Sequence, residues 1–149
     1  MDGTIRNVRD YGAAGDGVAL DTEAIQRTLD AGGIAYFPPG VYRSGTIYLR
    51  SHGGLCLERG AVLRASADFN DYNAPDVCPQ NSFSAAEHAN GKHLIMGIEQ
   101  EDVEIFGGGV VDGASENWFT RPDPDWAGTV YAWHAMPEWR PSQDRKSVV

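Results

Sequence analysis

LCLERGAVL at Leu55–Leu63 and VEIFGGGVV at Val103–Val111 share one pattern. Leu55, Leu57, Gly60 and Val62 of the first match Val103, Ile105, Gly108 and Val110 of the second, each 48 residues on. The pattern is an alternating apolar strand, a turn with glycine, and a second apolar strand. A weaker copy lies upstream, where Ile34, Tyr36, Gly40 and Tyr42 precede the Leu55 group by 21, 21, 20 and 20 residues. A supersecondary unit repeating at about 20–25 residues marks a solenoid. Taking 48 as two units, an intervening copy is expected within residues 67–102. There the polar stretch ADFNDYNAPDVCPQNSFSAAEHANGK, residues 67–92, disturbs the spacing.

Around these copies the same grammar continues. IAYF, TIYL, AVLRA, HLIMGIE and GVVDG are short, apolar or alternating, and separated by Gly, Pro, Asn or Asp. They read as strands. Only one segment has helical spacing: Ala24, Ile25, Thr28 and Leu29 share a face, with Asp21 or Thr22 as N-cap and Gly32–Gly33 as the stop. Asn7–Tyr11 reads as a strand, and Gly12, Gly15 and Gly17 as a turn-rich loop. A coil stack leaves its first rung open, and the Ile25/Leu29 face suits the role of cover. An antiparallel sandwich is the alternative.

Composition sets the outer limits. The chain has 149 residues, 42% hydrophobic and 22% charged, as in globular proteins. Its 18 glycines and 8 prolines favour many turns over long helices. Twelve basic against 21 acidic residues give a net charge of −9, with no basic run. That argues against nucleic-acid binding, which needs clustered Lys and Arg. No apolar run approaches a membrane span. MDGTIRNVRD lacks the order of a secretory signal, so the chain is expected to be cytoplasmic or to have its leader elsewhere. Cys56 and Cys78 have no zinc spacing and are expected as free thiols; no metal or cofactor is expected.

The motifs together resemble the N-terminal segment of pectin-degrading right-handed β-helix proteins, most nearly the polygalacturonase family of glycoside hydrolases. The carriers are GAAGDG (Gly12–Gly17), DTEAIQ (Asp21–Gln26), YFPPGVY (Tyr36–Tyr42), LERGAVLRAS (Leu57–Ser66) and DVEIFGGGVVDG (Asp102–Gly113). The likeness also fits rhamnogalacturonase or epimerase-like pectate lyase domains, and it runs from about residue 6 to residue 143. It implies an all-β right-handed parallel β-helix segment with an N-terminal capping helix. In SHGGLCLE, Gly54 stands where the family has an apolar residue, so one rung is expected to be looser. Each motif has a structural reading of its own. GAAGDG is a turn and not a phosphate cradle, FPPG is a rigid corner, and Asp112 is a turn residue before Gly113.

The resemblance implies inverting hydrolysis of α-1,4 galacturonosyl links, with pectin or polygalacturonate as the polysaccharide partner. Inversion needs one carboxylic acid for the leaving oxygen and one carboxylate to activate water. The family draws them from Asn-Thr-Asp and Asp-Asp stretches, beside Gly-His-Gly and Arg-Ile-Lys. None of the four stretches occurs here, so the catalytic residues are expected downstream of Gln143 and the chain alone is expected to be inactive. His93 reads as a coil-edge residue. Residues 1–33 are the first strand and cap, 34–113 the first coils with the insertion at 67–92, and 114–143 an aromatic-rich loop. Asp144–Val149 reads as a non-native tail of a truncated chain. That loop holds all four tryptophans, so Trp126, Trp133, His134 and Arg140 are the candidate sugar-binding residues; burial against the solenoid flank is the competing use of its aromatics. A lyase or epimerase on the same scaffold, or a non-catalytic carbohydrate-binding or structural solenoid, are the alternatives. About three coils fit, near the minimum for a stable stack, so marginal stability or aggregation is expected.

Overall fold

The computed structural model describes residues 3–73 and 92–117. Three parallel sheets form a β-solenoid. Strands β1 (Ile5–Asn7), β3 (Ile34–Phe37), β6 (Gly53–Leu57) and β9 (Val103–Gly107) make the first, in that order. Strands β2 (Asp16–Leu20), β4 (Gly40–Ser44), β7 (Ala61–Ala65) and β10 (Val110–Asp112) make the second. The third pairs β5 (Ile47–Tyr48) with β8 (Ile95–Met96). Each strand lies parallel to its counterpart one coil away, as the repeat predicts.

Register sets the core. Ala35, Leu55 and Ile105 stack in the first sheet, beside Phe37, Leu57 and Gly107. Tyr42, Leu63 and Val111 stack in the second. Phe37, Tyr42, Leu55 and Leu63 are fully buried, and the Phe37 and Tyr42 rings meet edge to face at 5.2 Å. Two sequence expectations need correction. Ile34 does not stack on Leu55; Ala35 does, and a slip of one residue exchanges the inner and outer faces. Nor is there an intervening coil. Strand β6 pairs directly with β9 and β7 with β10, so the long period is one coil enlarged by an insertion. Leu55 stacks on Ile105 and not on Val103; this two-residue displacement keeps the same face, so apolar alternation alone does not reveal it.

The N-terminal end also departs from expectation. The first strand stops at Asn7, whose side chain accepts from Arg9 N at 2.9 Å and starts a 3-10 turn over Val8–Tyr11. The glycine-rich loop then yields β2. The Asp16 carboxylate accepts from Val18 N and Ala19 N, both at 2.8 Å, where the register with β4 shifts. An edge strand is thus bulged and its amides occupied from within.

Helix α1 (Thr22–Asp30) follows, with Ala24, Ile25, Thr28 and Leu29 buried as predicted. Covering Ile25 and Leu29 stabilises the cap by about 1.5–3 kcal/mol each. Asp21 stands at the N-cap position, yet its side chain does not cap the helix. It reaches back to the GAAGDG loop, where it accepts from Ala14 N at 2.7 Å and Gly15 N at 3.0 Å. The loop packs closely on the core: Gly15 has φ +64°, and a Cβ there would run into the Tyr42 ring.

Side chains of α1 finish the edge of the coil above. Gln26 Nε2 donates to Tyr48 O at 3.1 Å, and Gln26 Oε1 accepts from Tyr48 N at 2.8 Å. One side-chain amide thereby imitates a strand beside β5. Thr22 Oγ1 accepts from Gly45 N at 2.8 Å. Arg50 and Asp30 join the helix end to the same coil at 2.7 Å.

The rung at Gly54 is not loose. Gly54 pairs with Ile34 and Glu104, and Leu55 and Leu57 beside it are buried. A Cβ at Gly54 would collide with the Glu104 carbonyl oxygen, so glycine allows the coils to close.

Replacing Gln26 by Ala removes both bonds to Tyr48 and should lower stability by about 1–2 kcal/mol, read from chemical denaturation. The amide bonds hold the Asp16 carboxyl below the usual carboxylate range, chiefly through Ala19 N and then Val18 N. A depressed folded value stabilises above the unfolded value and is lost as pH falls. Asp16→Asn should therefore melt below the parent at pH 7, and the gap should narrow in acid.

Candidate functional site

The chain leaves the stack between β7 and β8, beside the third sheet. Ser66 N still donates to Ser44 O at 2.8 Å, extending the ladder by one step. Asp68 then accepts from Asn70 N at 2.8 Å and turns the chain through a 3-10 turn at Phe69–Asp71. Buried Tyr72 donates to Ser66 O at 2.6 Å, which folds the departing segment onto the coil.

Asn73 closes the neck of the insertion. Its N–H donates to Thr46 Oγ1 at 2.9 Å, and its Oδ1 accepts from His93 N at 2.9 Å. Lys92 N donates to Asn73 O at 2.9 Å, and the Thr46 hydroxyl donates to His93 O at 2.5 Å. Lys92 Nζ donates to Phe69 O at 3.0 Å. Asn73 and Lys92 are thus held side by side, with residues 74–91 between them in sequence. His93 sits at the entry to β8, the coil-edge position expected of it. These polar groups are occupied by backbone, so the neck is a brace. Nothing in the hydropathy pattern marks it; the only signal is the Asn-x-Pro at Asn73–Pro75, a turn signature.

Other polar residues with possible chemistry are also committed. The loop amides that could have cradled an anion hold the Asp21 carboxylate instead. Asp112 binds Arg64 Nη1 at 2.5 Å and accepts from Ala114 N at 2.9 Å, a turn role as read from sequence. Glu116 binds Arg64 Nη2. His52 lies 3.5 Å from both Glu101 and Asp102, in a corner between consecutive coils. Cys56 is a free thiol facing outward in the first sheet, and burial, then the Glu58 charge, pushes its pKa up. Among the described residues no group of three His, Cys, Asp or Glu side chains could hold a metal ion. No helix among them is long and apolar enough to cross a membrane. Trp126, Trp133, His134, Arg140 and Cys78 lie outside the described residues.

Comparison with known proteins places this arrangement. Residues 5–56 match the family described as rhamnogalacturonase A/epimerase, pectate lyase-like. The solved exopolygalacturonase of family 28 from Yersinia enterocolitica superposes with a TM-score of 0.65 and 34% identity, over 74% of this chain and 20% of that one. The chain is a polygalacturonase-like right-handed β-helix. An exo-poly-α-D-galacturonosidase of Dickeya chrysanthemi is 33% identical over 118 residues, or 72% of this chain. A mannuronan C5-epimerase of Azotobacter vinelandii is 45% identical over 62 residues, 38% of this chain. The polygalacturonase-like chain spans 19% of the Dickeya enzyme's length.

Asn73→Ala should loosen the neck without dissolving the stack. The expected cost is about 1–3 kcal/mol, with faster amide exchange at Lys92 and His93 and unchanged exchange in β3 and β6.

Proposed function

We propose that this polygalacturonase-like chain provides the capped first coils of an inverting glycoside hydrolase that cleaves α-1,4 galacturonosyl links in a pectic polysaccharide. The observation that carries the reading is the joint match of fold and sequence to an exopolygalacturonase over three quarters of the chain. The C5-epimerase likeness is higher in identity but extends over about half as much of the chain as the galacturonosidase likeness. The carboxylate chemistry also favours this assignment. Inversion needs two acidic groups free to face one glycosidic bond. Here Asp21 is bound to loop amides, Asp16 to strand amides and Asp112 to Arg64. The acid and base therefore come from coils beyond Gln143, and these coils supply the cap, the first rungs and the braced insertion beside the third sheet.

The test is to express the reading frame extended past Val149 and assay polygalacturonate. The longer protein should release reducing ends with inverted anomeric configuration, and the 149-residue chain should release none. Unsaturated product that depends on calcium would replace the hydrolase reading with a lyase.

A further inference from the structure

The outer face of the second sheet carries two rows of side chains with no role in the core. Register places Val41, Val62 and Val110 in one row, and Arg43, Arg64 and Asp112 in the next, one residue per coil. Val110 is 54% exposed, while Val41 and Val62 are half-buried. The two arginines differ in their surroundings. Arg64 is held by Asp112 and Glu116. No hydrogen bond or ion pair among the described residues reaches the Arg43 guanidinium, and its Nε is buried without a partner. Asp16 is close enough to feel the Arg43 charge, but its carboxylate is turned onto Val18 N and Ala19 N.

A buried donor without an acceptor is costly, so an unpaired guanidinium beside an apolar strip calls for an outside acceptor. We propose that this strip is a second binding surface for an acidic polysaccharide, with a uronate carboxylate on Arg43 and the sugar rings on the valine row. The uronate chemistry rests on the hydrolase reading above; the surface itself is argued from charge and spacing. A planar guanidinium matches a carboxylate better than any other side chain does. Adjacent coils are ~4.8 Å apart, close to the advance of one sugar along an extended chain, so successive rings meet successive valines. The overall charge of −9 repels a polyanion, so binding is weak and falls further with salt. The surface holds polymer on the flank of the solenoid, away from the insertion neck.

The experiment titrates the 149-residue chain with hexagalacturonate and with neutral β-1,4-galactohexaose, following backbone amides by NMR. Hexagalacturonate should shift amides of β7 and β10, and Arg43→Gln should weaken it about fivefold or more. Arg43→Lys keeps the charge without the planar fork and should fall between the two. Val110→Asp changes an exposed position, so it should weaken binding at unchanged melting temperature. It decides the matter if Arg43→Gln disturbs folding. Equal affinity in Arg43→Gln and Val110→Asp, equal binding of both oligomers, or no binding by the parent chain would overturn the proposal. Activity of the extended protein tests the hydrolase reading independently of these results.

Discussion

Hydrogen bonds between coils run along the axis of the stack, so the first coil necessarily presents backbone groups with no strand to meet them. The N-terminal third of the chain is organised by that constraint. Helix α1 replaces the strand that a further coil would place beside β5. A helix cannot offer a strand's ladder, because its own backbone bonds are internal. Side chains must supply the match, and Gln26 does so with one donor and one acceptor at the spacing of a peptide group. Thr22 serves Gly45 in the same way, and Asp16 serves the amides of the exposed edge strand. Burial of Ile25 and Leu29 holds the helix in place, and these polar contacts determine its orientation on the coil.

The same axis tolerates a large insertion. Each rung is bonded to the rungs above and below, and only loosely to what leaves the coil sideways. The chain can therefore depart after β7 and return at β8, provided that the departure point is closed. Asn73 and Thr46 do this with backbone-directed bonds, and Gly45 permits it by leaving room for the Asp71 carbonyl. Close approach also governs the stack itself. At Gly54 backbone lies against backbone, and the missing side chain is what lets β3, β6 and β9 remain evenly paired.

The fold class was legible because turn glycines and apolar alternation recur together, and the helix because Ile25 and Leu29 stand at helical spacing before Gly32. Register was not legible. Ile34-Ala35-Tyr36-Phe37 is apolar at every position, so alternation cannot distinguish inner from outer face. The period of 48 admitted two coils or one enlarged coil, and only strand pairing distinguishes them. Strand β2 was hidden by Gly15 and Gly17, whose turn signal masks a strand that depends on the Asp16 bonds. Asp21 was read as a cap from its position; its partners lie in the preceding loop, a tertiary contact that no local pattern encodes. Of the candidate site, His93 and Asp112 took the places expected of them, while the Asn73 neck joins residues too far apart in sequence to suggest each other.

Division of labour follows from how the polar groups are used. A catalytic carboxylate must be free to change its protonation and to face substrate. In these coils Asp16, Asp21 and Asp112 each satisfy backbone or a cation, because the first rungs of an open stack have more unmatched groups than later rungs do. Neighbours on both sides satisfy an interior coil through its ladder alone, which leaves its outward carboxylates available. Chemistry on such a scaffold is therefore easiest away from the capped end. What the first coils can offer a polymer is surface, and Arg43 with the valine row is the portion of that surface not already committed to closing the fold.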